Sequence, residues 1–498
     1  MTLAYPRQVE RWGLFEISLT GPDDGDPFHD TELRVVFKRG SEAVAVDGFY
    51  DGDGRYLVRF SPNERGEWSF RVASNRPELV GHEGRFDCID PGPGNHGPVD
   101  VDGRFHFAYR DGTRYVPVGT TCYAWIHQPL DVQERTLQSL RASPFNKLRM
   151  CVFPKDYIYN ENEPPLHRYA VDDDHRINPR RPSVAYFQHL DRRIAELGEL
   201  GIEADIILFH PYDRWGYMEM SEEDDLAYLR YVVARLGAYR NVWWSLANEY
   251  DFLLDLKPLG RWEKFFHVVH ERDPHRRLTS IHNGHKLYDH ARPEISHVSI
   301  QSQRTEDTNT WRDEWGKPVV NDEPQYEGDI PDPWGNISAR ELVHRFWMTA
   351  TRGGYAGHGE TYLVDDHELW WAKGGTLRGE SPTRIGFLRR IMEESAGPWE
   401  PLTGRWEWGV VGACDAGSGE RIVYFGTHQP KAWFRGFPDG RRDISVELID
   451  PWAMSIEPLD LADPPYYRYP RNVHDQVVPV VSVELPGRPY LALRVRWP

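Results

Sequence analysis

The sequence predicts an α/β protein: a (β/α)8 TIM barrel flanked by N-terminal and C-terminal β-sandwich domains. Three observations lead to this prediction. Between residues 97 and 395, short apolar runs alternate with amphipathic helical segments, as in parallel βα units. On either side, short strands are separated by turn residues, which is typical of β-sandwiches. A chain of 498 residues is too long for one ordinary core, whereas a barrel of about 250 residues with smaller flanking domains accommodates it.

The N-terminal segment, residues 1–92, has the pattern of a β-sandwich. Val9–Leu19 is predicted to form one strand and Glu32–Lys38 another. The sequence DGDG at Asp51–Gly54 indicates a hairpin turn between two further strands. The Pro- and Gly-rich stretch Asp90–Asn95 predicts a linker to the next domain.

The central segment, residues 97–395, contains eight short apolar runs that we expect to be the barrel strands. They are Tyr115–Thr120, Lys147–Val152, Ala204–Phe209, Val242–Ala247, Leu278–His282, Val298–Gln301, Pro318–Asn321 and Gly354–His358. The helical pattern of Ser183–Leu200 repeats apolar residues at steps of 3 and 4. Ser221 and Ser338 each begin a further helix with capping-box chemistry. The connection after the sixth strand is weak, with only a short piece at Thr308–Trp315.

The C-terminal segment, residues 400–498, returns to β-structure and predicts a second small sandwich. Its expected strands are Trp406–Val411, Arg421–Phe425, Ile444–Ile449, Val477–Glu484 and Leu491–Arg496.

Composition excludes several classes of function. A net charge of −18 argues against nucleic acid as a partner, because phosphate binding needs basic patches. No run of about 18 apolar residues predicts a membrane span, and the first residues lack the apolar core of a secretion signal, so a cytoplasmic location is expected. The four cysteines lack C-x-x-C spacing, no dinucleotide motif follows the first strand, and the histidines fit no helix-borne metal motif. No metal or other cofactor is expected.

Two carboxylates stand where a barrel places its chemistry, at the carboxyl ends of strands. Glu249 follows the fourth apolar run and Glu323 follows the seventh, on opposite sides of the barrel mouth. Cleavage of a glycosidic bond needs such a pair, because one acid protonates the leaving oxygen while the other attacks the anomeric carbon or activates water. Glu249 and Glu323 are therefore the predicted catalytic residues.

Other polar and aromatic residues at the strand ends are expected to bind the substrate. Aromatic residues make up 13% of the chain, and their flat faces suit the C–H faces of sugars. Glu327 is the nearest alternative to Glu323 as nucleophile. The predicted substrate-binding residues are Arg149, His210, Asn248, His282, Gln301, Tyr326, Glu327, Glu360, Trp125, Trp215 and Trp370.

Two motifs resemble a known group of enzymes. WSLANE at the end of the fourth strand resembles the Asn-Glu signature of clan A glycoside hydrolases, the family 5-like barrels. KPVVNDEPQYEG at residues 317–328 is similar to the seventh-strand motif of the apiosidase-like barrels within that group. The N-terminal VERWGLFEISLTG resembles a domain of unknown function that often precedes such barrels, and an uncharacterised β domain commonly follows them. The resemblance thus covers nearly the whole chain.

The resemblance implies roles for individual residues. It implies that Glu249 is the acid/base, that Glu323 is the nucleophile, and that Asn248 hydrogen-bonds the sugar 2-hydroxyl. It also implies that Arg149 keeps the nucleophile ionised and that His210 lines the sugar subsite. The apiosidase-like relatives carry Asp at the position of Glu249, so the resemblance does not extend to apiose specificity.

Together these observations predict a retaining glycoside hydrolase that acts by double displacement. Because no secretion signal is visible, we expect oligosaccharides or small glycosides rather than polymers as substrates. We also expect an exo mode. The flanking sandwiches are expected to frame the site or the interface of a homo-oligomer. Two alternatives stay open: an inactive carbohydrate-binding barrel, and an inverting hydrolase, in which the carboxyls would be about 6.5–9.5 Å apart instead of about 5–5.5 Å.

Overall fold

The computed structural model describes residues 3–364, 368–402, 409–436, 443–462 and 480–498. At the N-terminus, a four-stranded and a five-stranded sheet enclose an apolar core and form the predicted sandwich. Its strands are Leu3–Ala4, Gln8–Glu10, Phe15–Thr20, Leu33–Arg39, Glu42–Asp47, Phe49–Tyr50, Arg55–Phe60, Gly66–Ser74 and Glu83–Ile89. The turn predicted at Asp51–Gly54 is confirmed, because Phe49–Tyr50 pairs antiparallel with Arg55–Phe60.

The predicted strand Val9–Leu19 is wrong as a single strand. Trp12 has φ of 61°, in the left-handed region that breaks a strand, and its side chain is 3% exposed. The piece before the break, Gln8–Glu10, joins the five-stranded sheet, whereas Phe15–Thr20 joins the four-stranded sheet. Trp12 therefore marks the point where the chain crosses from one sheet of the sandwich to the other.

The predicted first barrel strand is also corrected. Tyr115 belongs to a separate three-stranded sheet of Val99–Asp102, His106–Tyr109 and Arg114–Tyr115. The barrel strand itself begins at Gly119. The sequence shows one continuous apolar run here, because Val116 and Val118, which lie between the two strands, are buried as well.

The barrel is an eight-stranded parallel sheet, nearly closed, and confirms the predicted fold class. In chain order its strands are Gly119–Thr121, Lys147–Cys151, Glu203–Phe209, Val242–Ala247, Thr279–Ser280, Val298–Gln301, Val319–Glu323 and Tyr355–His358. Their order around the sheet is 5-4-3-2-1-8-7-6, so every strand except the fifth neighbours the next in sequence, and the eighth pairs with the first. The gap lies between the fifth strand, which is only two residues long, and the sixth.

The barrel helices begin where the sequence predicts. The hydroxyls of Ser183, Ser221 and Ser338 each accept a hydrogen bond from a backbone N–H of the first turn. The weak connection after the sixth strand is confirmed as a helix of eight residues. The helices of the described residues, apart from four-residue turns at Pro27–Asp30 and Trp370–Lys373, are Leu130–Arg141, Val184–Glu199, Glu222–Leu236, Leu259–Arg272, Thr308–Trp315, Ala339–Thr351 and Ser381–Glu394.

The described residues of the C-terminal domain form two sheets, of six and two strands, that pack around an apolar cluster. Its strands are Glu400–Pro401, Gly412–Asp415, Glu420–Tyr424, Ala432–Gly436, Ser445–Asp450, Ser455–Leu459, Val480–Glu484 and Ala492–Arg496. The start of the predicted strand Trp406–Val411, and residues 477–479 of another, lie outside the described residues. The domain limits 1–92, 97–395 and 400–498 stay predictions.

A buried ion network joins the N-terminal sandwich to the barrel. Arg59 of the sandwich donates to Asp191 on a barrel helix at 2.9 Å. Arg235, on the next helix, binds Asp191 at 2.6 Å and Asp51 of the sandwich at 2.8 Å. Both arginines are at most 6% exposed. Because a buried charge is costly without its partner, this network requires the two domains to stay in contact.

We expect Asp191→Asn to lower the stability of the protein by about 3–5 kcal/mol, because it leaves two buried guanidinium groups short of a counter-charge. The measurement is the midpoint of denaturant unfolding. Glu83→Gln is the control, since it removes a pair with Arg71 in which both side chains are more than half exposed, and such pairs contribute less than about 1 kcal/mol. Equal midpoints for the two variants would contradict the role of the network.

Candidate active site

The two predicted acids lie at the same end of the barrel. Glu249 follows the fourth barrel strand and Glu323 is the last residue of the seventh. Glu249 has φ of 53°, a left-handed conformation that costs energy for any residue other than glycine. Both side chains are nearly buried, with Glu249 7% and Glu323 3% exposed. Strained, buried carboxylates at the carboxyl end of a barrel are typical of a functional site.

Asn248 connects the two acids. Its amide nitrogen donates to Glu249 Oε2 at 2.8 Å. Its amide oxygen accepts from Arg149 at 3.1 Å and lies 3.0 Å from the Tyr123 hydroxyl. Both Arg149 and Tyr123 in turn contact Glu323, so a shared set of hydrogen-bonded side chains links the two carboxyls.

Arg149 and Tyr123 hold Glu323 in place. The Arg149 guanidinium donates to Glu323 Oε1 at 3.0 Å, and the Tyr123 hydroxyl hydrogen-bonds the same oxygen. Arg149, on the second strand, is 1% exposed, and this buried pair fixes the carboxylate with a charge-assisted bond. Tyr123 lies just beyond the first strand, and sequence reasoning did not assign it to the site.

The surroundings of Glu249 favour its protonated form. Burial raises the pKa of Glu249, and the charge of Glu323 raises it further. The positive charge of Lys155 lowers this pKa, as do hydrogen bonds from Tyr212 and Gln301. Gln301 ends the sixth strand, so the structure brings this predicted residue to the acid.

His282 lies beside Glu323. Its ring is fully buried, and Nε2 is 3.7 Å from Glu323 Oε1. Burial, and then the charge of Arg149, lower the pKa of His282 well below its ordinary value, so the ring is neutral. Neither ring nitrogen has a hydrogen-bond partner among the described residues, which leaves both available to a ligand.

Tyr326 and Trp371 form an aromatic wall next to Glu323. Their ring centroids are 5.4 Å apart, and Trp371 also packs on Tyr123 at 5.8 Å. Burial raises the pKa of Tyr326 well above 10.0, and the charge of Glu323 raises it further. Trp371 is only partly buried, and its indole N–H has no partner among the described residues. It is the tryptophan that the structure places at the site.

A charged layer beneath the site supports these strands. Lys147 Nζ binds Asp205 at 2.6 Å and Asp322 at 2.8 Å, and all three side chains are almost completely buried. The Ser299 hydroxyl donates to Asp322 at 2.6 Å. Asp322 therefore points into the barrel, away from its neighbour Glu323, and links the second, third, sixth and seventh strands.

Comparison with known proteins decides the family. The model of the apiosidase-like catalytic domain matches residues 101–396, more than half of the chain. The chain belongs to the apiosidase-like family. A domain of unknown function, DUF5060, matches residues 8–75, and a second one, DUF5605, matches residues 406–496. Among curated proteins, none matches the chain.

Solved structures extend this result beyond the apiosidase-like domain. A Bacteroides vulgatus protein provisionally described as a glycoside hydrolase is 37% identical, with a TM-score of 0.90, and the match covers 99% of this chain and 100% of that chain. A family 5 glycoside hydrolase from Bacteroides vulgatus is 17% identical, with a TM-score of 0.60, over 81% of this chain and 94% of its own. The second match shows a shared fold. None of the described helices has the length and apolar character needed to span a membrane.

Three predicted tryptophans lie in the core of the apiosidase-like barrel rather than at its site. Trp125, Trp215 and Trp370 are each at most 2% exposed and belong to one apolar cluster. Their indole N–H groups donate to Met150, Glu163 and Thr120, respectively. These three rings pack in the protein core and do not stack on sugar, because their faces are buried and their indole N–H groups are already hydrogen-bonded.

His210 was predicted to bind the substrate, but both of its ring nitrogens contact backbone atoms of the protein. Its Nε2 lies 3.1 Å from the carbonyl oxygen of Phe153, and its Nδ1 accepts from the backbone N–H of Tyr212. The ring stacks on Phe153 with centroids 3.9 Å apart. With both nitrogens engaged, His210 positions the loops that carry Tyr212 and Lys155.

Glu327 and Glu360 form a second carboxylate pair that binds backbone instead of facing the catalytic acids. Glu360 accepts from the N–H groups of Arg378 and Gly379 at 2.6 and 2.8 Å. Glu327 accepts from the N–H of Ser381 at 3.0 Å. Both are at most 2% exposed, so they fix the loop before the last barrel helix.

A cavity of about 740 Å³ opens beside the site. Its lining includes Gln128, Ile158, Tyr159 and Leu363. The ring of Tyr159 packs 5.9 Å from Trp371, so this cavity adjoins the aromatic wall of the site.

The Glu360 carboxyl is expected to make stability depend on pH. Burial raises its pKa from 4.5 to about 7, although the two backbone N–H groups lower it. Because the pKa of Glu360 is higher in the folded than in the unfolded protein, protonated Glu360 stabilises the fold. This contribution is complete below pH 4.5 and is lost as the pH rises to about 7. Between these pH values the wild type should lose about 3 kcal/mol relative to Glu360→Gln.

The measurement is denaturant unfolding of both proteins at several pH values. The absolute stability of Glu360→Gln is also expected to fall, because the amide accepts one hydrogen bond fewer. Only the difference in pH dependence tests the assignment, and parallel curves for wild type and variant would refute it. Glu83→Gln, on an exposed side chain, should follow the wild type.

Proposed function

We propose that the chain hydrolyses a glycosidic bond with retention of configuration, with Glu323 as nucleophile and Glu249 as acid/base. The observation that carries this proposal is the hydrogen-bonded path from Glu249 through Asn248 to Arg149, Tyr123 and Glu323. This shared set of side chains supports a short separation of the two carboxyls, as direct attack requires. Membership of a family whose catalytic domain is apiosidase-like supports a carbohydrate substrate.

In the first step, a Glu323 oxygen attacks the anomeric carbon and the bond to the leaving oxygen breaks. The electron pair of that bond stays with the leaving oxygen, which takes the proton from Glu249. In the second step, water gives a proton to Glu249 and attacks the same carbon, and the ester bond to Glu323 breaks. The raised pKa of Glu249 suits the first step, and the Arg149 pair suits an ionised nucleophile.

Several neighbours are assigned to sugar binding. Asn248, whose amide nitrogen hydrogen-bonds Glu249, is assigned to the sugar 2-hydroxyl. His282 offers an unpartnered ring nitrogen, and Trp371 offers a partly exposed ring and a free indole N–H. Gln301 and Tyr326 complete the wall around the acids.

We further propose an exo mode. Burial of Glu249 and Glu323 to 7% and 3% exposure supports a closed pocket for one terminal sugar rather than an open cleft. The adjoining cavity at Tyr159 is the proposed place for the departing part of an oligosaccharide or small glycoside. An inactive binding barrel is less consistent with this site, because it would not need two strained or ion-paired acids.

Glu323→Ala should lower turnover of nitrophenyl glycosides by about 10⁴-fold or more, because no covalent intermediate can form. The measurement is kcat on a panel that includes pyranosides and furanosides, together with circular dichroism to check folding. Glu327→Gln is the matched control, and should keep kcat within about ten-fold of the wild type because its carboxylate binds backbone. The reverse pattern would make Glu327 the nucleophile.

Glu249→Ala should affect substrates according to their leaving groups. Loss of the acid is expected to cost about 10²–10⁴-fold on an alkyl glycoside, while a dinitrophenyl glycoside, whose leaving group needs no proton, is largely spared in its first step. The measurement is kcat/KM for both substrates. Equal losses on the two would contradict the acid role of Glu249.

A further inference from the structure

Lys155 is a buried cation at the proposed site that the mechanism does not use. It lies in the loop after the second barrel strand and is 2% exposed. Its ammonium nitrogen is 3.6 Å from the ring centroid of Tyr123, 4.1 Å from Tyr212, 4.6 Å from Tyr157 and 5.5 Å from Trp371. These rings give the cation an aromatic surrounding.

The ammonium group has no hydrogen-bond acceptor among the described residues, and none of their carboxylates lies within 4.0 Å of it. Two other buried lysines differ in this respect. Lys147 binds Asp205 and Asp322, and Lys257 binds Asp225. A buried ammonium with three unsatisfied donors is costly, because burial removes the water that would otherwise accept from it.

The catalytic acids do not neutralise Lys155 when the site is ready to react. Glu323 is already paired with Arg149 at 3.0 Å. Glu249 must carry a proton in order to act as the acid, and it is then uncharged. In the state that receives the substrate, the charge of Glu249, the carboxylate with the larger effect on Lys155, is therefore absent.

Two of the rings around Lys155 carry polar atoms that lack partners. The Tyr157 hydroxyl and the Trp371 indole N–H are buried and make no hydrogen bond among the described residues. With the ammonium group they form a set of donors that no described acceptor satisfies. Such a set matches a ligand oxygen that carries negative charge.

We propose that Lys155 binds a carboxylate on the substrate sugar, so that the enzyme acts on glycosides of uronic acids rather than of neutral sugars. This specificity rests on the proposed function, since the same subsite would hold the sugar. Lys155 is the residue that determines the choice, with Tyr157 and Trp371 as additional donors. The carboxylate would supply an acceptor and a counter-charge within bonding distance of Lys155, which none of the described carboxylates does.

The test compares matched substrates that differ only in this group. The wild type is assayed on nitrophenyl glucuronides and galacturonides of both anomers and on the corresponding glucosides and galactosides. We expect kcat/KM to be about a hundred-fold higher for a uronide than for its neutral partner, as for a buried charge pair. Lys155→Met should remove this preference, whereas Lys286→Met, on an exposed lysine of another loop, should keep it.

Binding is measured separately so that the two proposals can fail independently. Isothermal titration of the wild type and Lys155→Met with free glucuronate, galacturonate, glucose, galactose and a sulfated monosaccharide requires no turnover. Wild-type binding of a uronate that Lys155→Met loses would uphold the carboxylate assignment even if no glycoside is cleaved, in which case the proposed hydrolysis falls. Circular dichroism and the thermal midpoint establish that the variant is folded, and Lys155→Gln serves as a second variant.

Other outcomes overturn the inference. Efficient cleavage of neutral glycosides only would leave the hydrolase proposal standing and overturn the carboxylate assignment, and binding of neutral sugars only would overturn that assignment as well. If the protein binds the sulfated sugar but neither uronate, the assignment of a carboxylate as the ligand of Lys155 is wrong. If no acidic sugar binds, the proposal that Lys155 recognises an anionic group of the substrate is wrong.

Discussion

The site depends on one electrostatic constraint, the placement of charged groups inside a barrel mouth that excludes water. Arg149 and Glu323 are almost fully buried and lie 3.0 Å apart. Each charge offsets the free-energy cost of burying the other. Asn248 and Tyr123 hydrogen-bond this pair and extend the network to Glu249. Because the bonds are shared, the two carboxyls hold fixed positions before any substrate arrives, and positioning of this kind is a main source of enzymatic rate enhancement.

The same constraint extends into the scaffold. Lys147, Asp205 and Asp322 form a second buried charged layer beneath the acids, and the ion network around Asp191 joins the N-terminal sandwich to the barrel. Lys155 departs from this pattern, since it is buried among aromatic rings and no carboxylate of the described residues lies within 4.0 Å of its ammonium group. A charge that the fold leaves unpaired at a binding site indicates the ligand that would pair it.

Much of the fold follows from the sequence, because hydrophobic periodicity and helix caps are local signals. The caps at Ser183, Ser221 and Ser338 and the eight parallel strands are confirmed. The prediction of one strand through Trp12 was wrong, because a residue in the left-handed region interrupts a strand without changing the apolar pattern of the sequence. At the site, Glu249 and Glu323 were found from their strand ends, but Tyr123, Lys155 and Trp371 depend on loop paths, and burial of Trp125, Trp215 and Trp370 depends on packing between distant segments. Neither is visible in local sequence.

The most direct test of the central claim is to trap the covalent intermediate. The protein is incubated with an activated 2-deoxy-2-fluoro glycoside of the sugar that it cleaves, digested with protease and analysed by mass spectrometry. The account predicts one added glycosyl group on the peptide that contains Glu323, and on that residue. An adduct on Glu327 or Glu249, or turnover that gives inverted product with no adduct, would contradict it.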